Sequence, residues 1–181
     1  MAKNILITGG AASGKSRWAV TNLSACDYVL YLRAGDIVDA DTLNRIKYGN
    51  EKNGVEWDIV TGAKKDPVSY ITDHKFVIFD SLSTYTSNVI SELCPDIDKM
   101  DDELQKIIEK RVISDIAAMQ DHIRDIQGSM IIITLETGFS VTPENRSQAI
   151  FREILGNVNQ RIANTSDEVY FSASGIQFKI K

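Results

Sequence analysis

The segment Gly9-Gly10-Ala11-Ala12-Ser13-Gly14-Lys15-Ser16 has the residue types and spacing of a phosphate-binding loop. It fits G-x-x-x-x-G-K-[ST] without a gap. Small residues let successive backbone N–H groups turn inward and cradle phosphate oxygens. A helix starting directly behind the loop adds partial positive charge. Lys15 is expected to reach the β- and γ-phosphates, and Ser16 to offer its hydroxyl to Mg²⁺. The chemistry implied is binding of ATP or GTP as a co-substrate.

Two carboxylates stand where such chemistry needs them. Asp80 ends the apolar run Phe76-Val77-Ile78-Phe79. A carboxylate at the end of a buried strand can hold Mg²⁺ through water beside the loop. At the same junction it can instead cap the next helix. Glu136 follows the run Met130 to Leu135 in the same way. It can contact Mg²⁺, serve as a base toward an acceptor hydroxyl, or stand as a solvated loop carboxylate.

Positioning these groups requires strands that end at one edge of a sheet. Runs 5–8, 28–32, 57–60, 76–79 and 130–135 read as strands. Helical patterns separate them. The first covers 16–23. A second is expected from a cap at Asp41 to Tyr48, ended by Gly49. Asp66-Pro67 has the form of a cap and first helical residue for a short helix over 68–72. Further helices are expected over 83–93, 100–127 and 143–163, with Pro95 and Gly128 as stops for the first two. The acidic run Asp96 to Glu103 reads as the solvated start of the long helix. Segments 169–171 and 176–180 flank a Ser174-Gly175 turn and read as a C-terminal antiparallel hairpin. Apolar strands alternating with helices imply an α/β fold, a mostly parallel sheet with helices on both faces.

The 181 residues suit a single domain, 1–181. Lys+Arg 20 against Asp+Glu 25 gives a net charge of −5. An acidic chain argues against a nucleic-acid partner, which needs a basic face. No apolar run approaches the ~18 residues of a membrane span, and the first residues show no leader-like apolar core. Two cysteines, Cys26 and Cys94, are too few for a disulfide framework. A cytoplasmic location is the expectation. A strand motor is disfavoured by the acidic charge, and a GTPase switch by the lack of an Asn-Lys-x-Asp motif.

With these residues in view, the chain resembles the adenosylcobinamide kinase / adenosylcobinamide-phosphate guanylyltransferase family, RecA-like P-loop enzymes of cobalamin assembly. The most specific match runs through Val141-Thr142-Pro143-Glu144-Asn145-Arg146, Phe151-Arg152-Glu153 and Gly156-Asn157-Val158-Asn159-Gln160-Arg161. It continues through Asp167-Glu168-Val169, Ser174-Gly175 and Lys179-Ile180-Lys181. Asp80-Ser81-Leu82-Ser83 with Ser87-Asn88, and Glu136-Thr137-Gly138, resemble two further motifs of the family. The resemblance implies a corrinoid substrate, homo-oligomeric assembly and two reactions. A nucleoside triphosphate phosphorylates the aminopropanol hydroxyl of adenosylcobinamide. GTP then delivers GMP to that phosphate through a covalent guanylyl-histidine. Arg33-Ala34-Gly35 stands where the family has an Ala-Thr-small tripeptide against the nucleotide, and differs from it.

The chain departs from the pattern where the second reaction resides. Around Arg45-Ile46-Lys47-Tyr48-Gly49-Asn50, ahead of Trp57, Tyr48 or Gly49 occupies the place of the guanylyl-accepting histidine. Glycine has no side chain, and a tyrosine hydroxyl with a pKa near 10 is a poor substitute for imidazole. The chain has two histidines, His74 and His122, and both read as structural or exposed. Ala12, Thr61 and Leu135 also differ from the family's usual residues. The leading expectation is a kinase that has lost guanylyl transfer. The alternatives are a displaced nucleophile such as Lys47 or Lys52, a nucleotide-binding module without turnover, and a kinase for a different small alcohol.

Overall fold

The computed structural model describes residues 3–139 and 143–181. Val141 and Thr142 of the family-like segment lie outside them. Among the described residues, seven strands form one sheet in the order β3-β2-β4-β5-β1-β6-β7. They are β1 (Lys3–Gly9), β2 (Val29–Arg33), β3 (Trp57–Val60), β4 (Phe76–Asp80), β5 (Ser129–Ile133), β6 (Glu168–Ala173) and β7 (Ile176–Lys179). β1 to β6 pair in parallel, and β7 closes the edge antiparallel to β6. The expected hairpin is therefore present, turning at Ser174 and Gly175.

Among the described residues, five α-helices cover the sheet: α1 (Lys15–Asn22), α2 (Ala40–Asn53), α3 (Leu82–Leu93), α4 (Asp102–Asp125) and α5 (Arg146–Thr165). Alternation along the strands splits the core in two. Ile5, Ile7, Tyr31, Ile78, Ile131 and Ile133 pack with Ala19 and Val20 of α1 and Ile46 of α2. Leu6, Leu30, Leu32, Val77, Phe79 and Ile132 pack with residues of α3, α4 and α5. Both faces are buried, which is why the strands read as continuous apolar runs.

Several helix limits differ from the sequence expectation. Asp39, not Asp41, caps α2, accepting from the Thr42 N–H at 2.9 Å and its hydroxyl at 2.8 Å. Asp41 lies in the first turn and pairs with Arg45. The helix continues through Gly49 and ends at Gly54, whose φ of 65° makes it the left-handed stop. Asp66 makes no side-chain cap; it adopts φ 45°, and its carbonyl receives Ser69 N–H at the start of a 3₁₀ turn over Pro67–Tyr70. A separate 3₁₀ turn, Ile97–Lys99, interrupts the acidic run, so α4 begins only after Asp101, whose side chain accepts from Leu104 N–H. α5 starts at Arg146 behind the Asn145 cap, and β5 stops two residues short of Leu135.

Candidate active site around the phosphate loop

The loop joins β1 to α1 at the end of the sheet where the parallel strands finish. Gly9 and Gly14 have φ of 148° and 95°. A β-carbon at Gly9 would stand 2.2 Å from the Ser172 carbonyl oxygen, so only glycine fits there. The loop leans on the hairpin: Ser172 hydroxyl donates to Ser13 carbonyl at 2.7 Å, and Gly175 N–H donates to the same oxygen at 3.0 Å. Lys15, 6% exposed, donates its ammonium to the carbonyls of Gly9 at 2.9 Å and Gly10 at 2.6 Å. Burial lowers its pKa, and the nearby Asp80 charge opposes that shift. The Lys15 ammonium is thus held on the rim of the loop.

Asp80 ends β4 and is 4% exposed. Ser81 caps α3 by accepting from Thr84 N–H, which leaves the Asp80 carboxylate facing the loop. Ser16 donates to its Oδ2 at 3.3 Å, Tyr31 donates to the same oxygen, and Arg33 pairs with Oδ1 at 2.7 Å. Burial and the Asp80 charge push the Tyr31 hydroxyl far above its ordinary pKa, so it remains a donor. A hydroxyl and a carboxylate side by side form a hard oxygen donor set. That set suits Mg²⁺, which takes one or two carboxylates and fills its shell with water and phosphate. Among the described residues no group of three or more His, Cys, Asp or Glu side chains could cage a metal.

Arg33, Ala34 and Gly35 extend from β2 beside Asp80. Arg33 reaches the site through its ion pair. Ala34 is fully buried, its N–H on the Asp80 carbonyl and its carbonyl on Asn88. Gly35 carbonyl accepts from Gly62 N–H.

Two cavities flank the loop. One, of about 690 Å³, lies between Ala12–Arg17, the first turns of α2 and the Ser174-Gly175 turn. Asp39, Asp41, Thr42 and Arg45 line it from α2. The other, of about 650 Å³, lies between α5, the end of β1 and Glu136-Thr137-Gly138. Glu136 is half-buried; its N–H donates to Gly9 carbonyl at 3.0 Å and its Oε1 accepts from Gly138 N–H at 2.7 Å. Asn159 of α5 donates to Leu135 carbonyl and accepts from the Thr134 hydroxyl, each at 2.8 Å. Arg152 donates to Gly138 carbonyl at 3.0 Å.

The histidines lie at the opposite edge. His74 precedes β4, so roughly 16 Å of strand separates it from Asp80. It is buried, stacked on Tyr28 and 2.8 Å from an Asp58 carboxylate oxygen. His122 sits in the last turn of α4, near where Asn4 at the start of β1 meets Gln120. Tyr48 is 66% exposed on α2. Sequence reasoning gave Tyr31 no place in the site, and named Arg45 and Asn159 only as members of family-like segments, without a role. Tyr31 had a legible signal, since Tyr31 and Arg33 are the polar positions of an otherwise apolar strand.

The whole chain also matches known proteins. A family model described as cobinamide kinase / cobinamide phosphate guanyltransferase matches residues 5–180. The chain belongs to this family. It is 29% identical over 180 residues to the bifunctional adenosylcobalamin biosynthesis protein CobU of Escherichia coli, covering 98% of this chain and 99% of that protein. It is 30% identical over 183 residues to the protein of the same name from Salmonella typhimurium, with the same coverage. A relative from Pseudomonas aeruginosa, CobP, is 24% identical over 187 residues, 97% of this chain and 96% of that one. Among solved structures, an ATPase of a bacterial type III secretion system superposes with a TM-score of 0.56 at 11% identity, over 94% of this chain and 52% of that one. That likeness concerns the fold alone: an α/β P-loop architecture.

Proposed function

We propose that this member of the cobinamide kinase / guanyltransferase family transfers a phosphoryl group from ATP or GTP to the aminopropanol hydroxyl of adenosylcobinamide, and does not carry out the guanylyl step. In this reading residues 1–181 act as one nucleotide-binding kinase domain. Assembly as a homo-oligomer in the cytoplasm belongs to the same reading and rests on the family resemblance.

The observation that carries the reading is the distribution of reactive groups. Lys15, Ser16 and Asp80 gather at one edge of the sheet, with Glu136 tied to Gly9 beside them. Both histidines sit at the other edge. Gly9 to Ser16 would cradle the triphosphate, with Arg33-Ala34-Gly35 as further nucleotide contacts. Ser16 and Asp80 would hold Mg²⁺, which supplies charge neutralisation on the phosphates when bound. Lys15 would offset charge on the transferring phosphoryl group. The acceptor oxygen bonds to the γ-phosphorus as the bond to the β–γ bridging oxygen breaks. The hydroxyl proton passes to the Glu136 carboxylate, and the nucleoside diphosphate leaves. This chemistry needs positioning and charge stabilisation rather than a covalent protein intermediate, so it survives the loss of a nucleophilic histidine.

The test is incubation of the protein with Mg²⁺, ATP, GTP and adenosylcobinamide, followed by mass spectrometry of the corrinoid. A gain of one phosphate and nothing more is the expected result. Addition of GMP would overturn the loss of guanylyl transfer. An unchanged corrinoid would overturn the kinase reading itself.

A further inference from the structure

The cavity between α5 and β1 lies on the far side of the phosphate loop from the cavity lined by α2. Three observations give it a role. Its wall includes Glu136, whose backbone is bonded to Gly9, so the cavity adjoins the phosphate loop. Its floor includes Thr8, 8% exposed, whose hydroxyl has no hydrogen-bond partner among the described residues. A buried hydroxyl without a partner is costly unless a ligand group satisfies it.

The third observation is Gly156, in the middle of α5. An interior helical glycine is unfavourable by about 1 kcal/mol relative to alanine. Packing does not require it, because a β-carbon there would meet nothing within 4 Å among the described residues. Gly156 lines this cavity, and the open space above it is space kept clear.

The neighbouring surface fits an amphipathic ligand. Phe139, 83% exposed, lies edge-on to Phe171, and Phe178 faces Phe171 across the hairpin. Apolar surface of this kind next to the half-buried Arg152 and the exposed carboxamide of Gln160 suits a flat ring carrying amide arms.

We infer that this cavity is the acceptor site, taking the aminopropanol arm of the corrinoid and the adjoining edge of its ring. The inference rests on the corrinoid reading above and adds a location to it. The hydroxyl of the arm meets Glu136 at the loop end, and the ring edge lies over Gly156.

The test is equilibrium dialysis of adenosylcobinamide, read by its own visible absorbance, against wild type, Gly156→Ala and Gly156→Leu. Melting curves, binding of a fluorescent ATP analogue and solution mass are measured on the same samples. Gly156→Leu is expected to lose at least tenfold in corrinoid affinity while nucleotide affinity stays within threefold. Gly156→Ala, which keeps most of the space, is expected to stay within about threefold of wild type. Thr8→Val, which removes only the orphan hydroxyl, is expected to weaken corrinoid binding severalfold. Equal binding by wild type and Gly156→Leu would overturn the site, as would a wild type that binds no corrinoid. So would a Gly156→Leu that changes the solution mass while corrinoid affinity holds, which would mark the face as a contact between copies. Binding without phosphate transfer would instead refute the kinase reading and leave the site standing.

Discussion

The Thr134 hydroxyl donates to Asn159 Oδ1 at 2.8 Å, deep between β5 and α5. The Asn159 amide simultaneously donates to Leu135 carbonyl. One buried side chain therefore holds both residues that lead into Glu136. Asn159→Ala leaves a hydroxyl and a carbonyl unpaired, at a cost of about 2–3 kcal/mol. The expected outcome is a lower melting temperature and a kcat reduced at least tenfold, with nucleotide affinity unchanged. Steady-state kinetics below the melting transition check it; a normal kcat would show that Glu136 needs no such support.

Lys15→Ala removes the ammonium on the loop rim. Loss of one preorganised charge at a transfer site costs about 10²–10³ in rate. Phosphoryl transfer to the corrinoid is expected to fall by that order. Asp80→Asn removes the negative charge that faces Ser16 and Arg33, and is expected to raise the Mg²⁺ concentration needed for half-maximal rate at least tenfold. A Mg²⁺ titration of each variant is the measurement.

Gly156→Ala should stabilise the fold. The gain in helix propensity is about 0.5–1 kcal/mol, and for a chain of this size that is a rise of roughly 1–4 °C in melting temperature. Thermal melts by circular dichroism decide it. A fall would mean that the space over Gly156 is not as open as the geometry indicates.

Glu168 predicts a pH dependence of stability. Lys3 at 2.5 Å, Tyr170 at 2.9 Å and Lys179 at 3.1 Å hold its carboxyl down at about 2, against an ordinary 4.5. A depressed folded pKa contributes stability that is present above 4.5 and lost as pH falls toward 2. Lys3 and Lys179 are half exposed, 46% and 50%, so solvent screens the pair. Glu168→Gln is expected to cost on the order of 1 kcal/mol or less near neutral pH, with the gap to wild type closing between pH 4.5 and 2. Urea denaturation at several pH values follows it.

Thr42, Arg45 and Gly49 are spaced three and four apart on α2, and Thr42 and Arg45 line the phosphate cavity. Gly49 continues that stripe by one turn. A β-carbon at Gly49 would stand 3.8 Å from Ser24, so Gly49→His puts an imidazole on the face of α2 that turns toward the end of α1. Labelling with GTP carrying ³²P at the α position is expected to leave wild type unlabelled and to give this variant a base-stable adduct. A labelled wild type would reveal a displaced nucleophile.

The loop, the strands and the carboxylates Asp80 and Glu136 were legible because each depends on local pattern. Apolar runs ending in Asp80 and Glu136 needed no tertiary knowledge. The limits of α2 were less legible, since Gly49 and Gly54 are equivalent as stop signals until the backbone selects which takes the left-handed conformation. Asp39 and Asp41 compete in the same way, and the Thr42 hydroxyl decides for Asp39. Asn159 was invisible as a positioning residue because its partners lie 24 and 25 residues away on another element.

The bond between Ser172 and Ser13 spans 159 residues of chain. At about 5–20 residues per second, a ribosome delivers the hairpin some 8–30 seconds after the loop it supports. The loop spends that interval without its prop, and so should bind triphosphate poorly. Once the hairpin docks, ligand binding draws the equilibrium toward the finished molecule by mass action. Nucleotide binding is thereby expected to favour copies whose hairpin has docked against the loop.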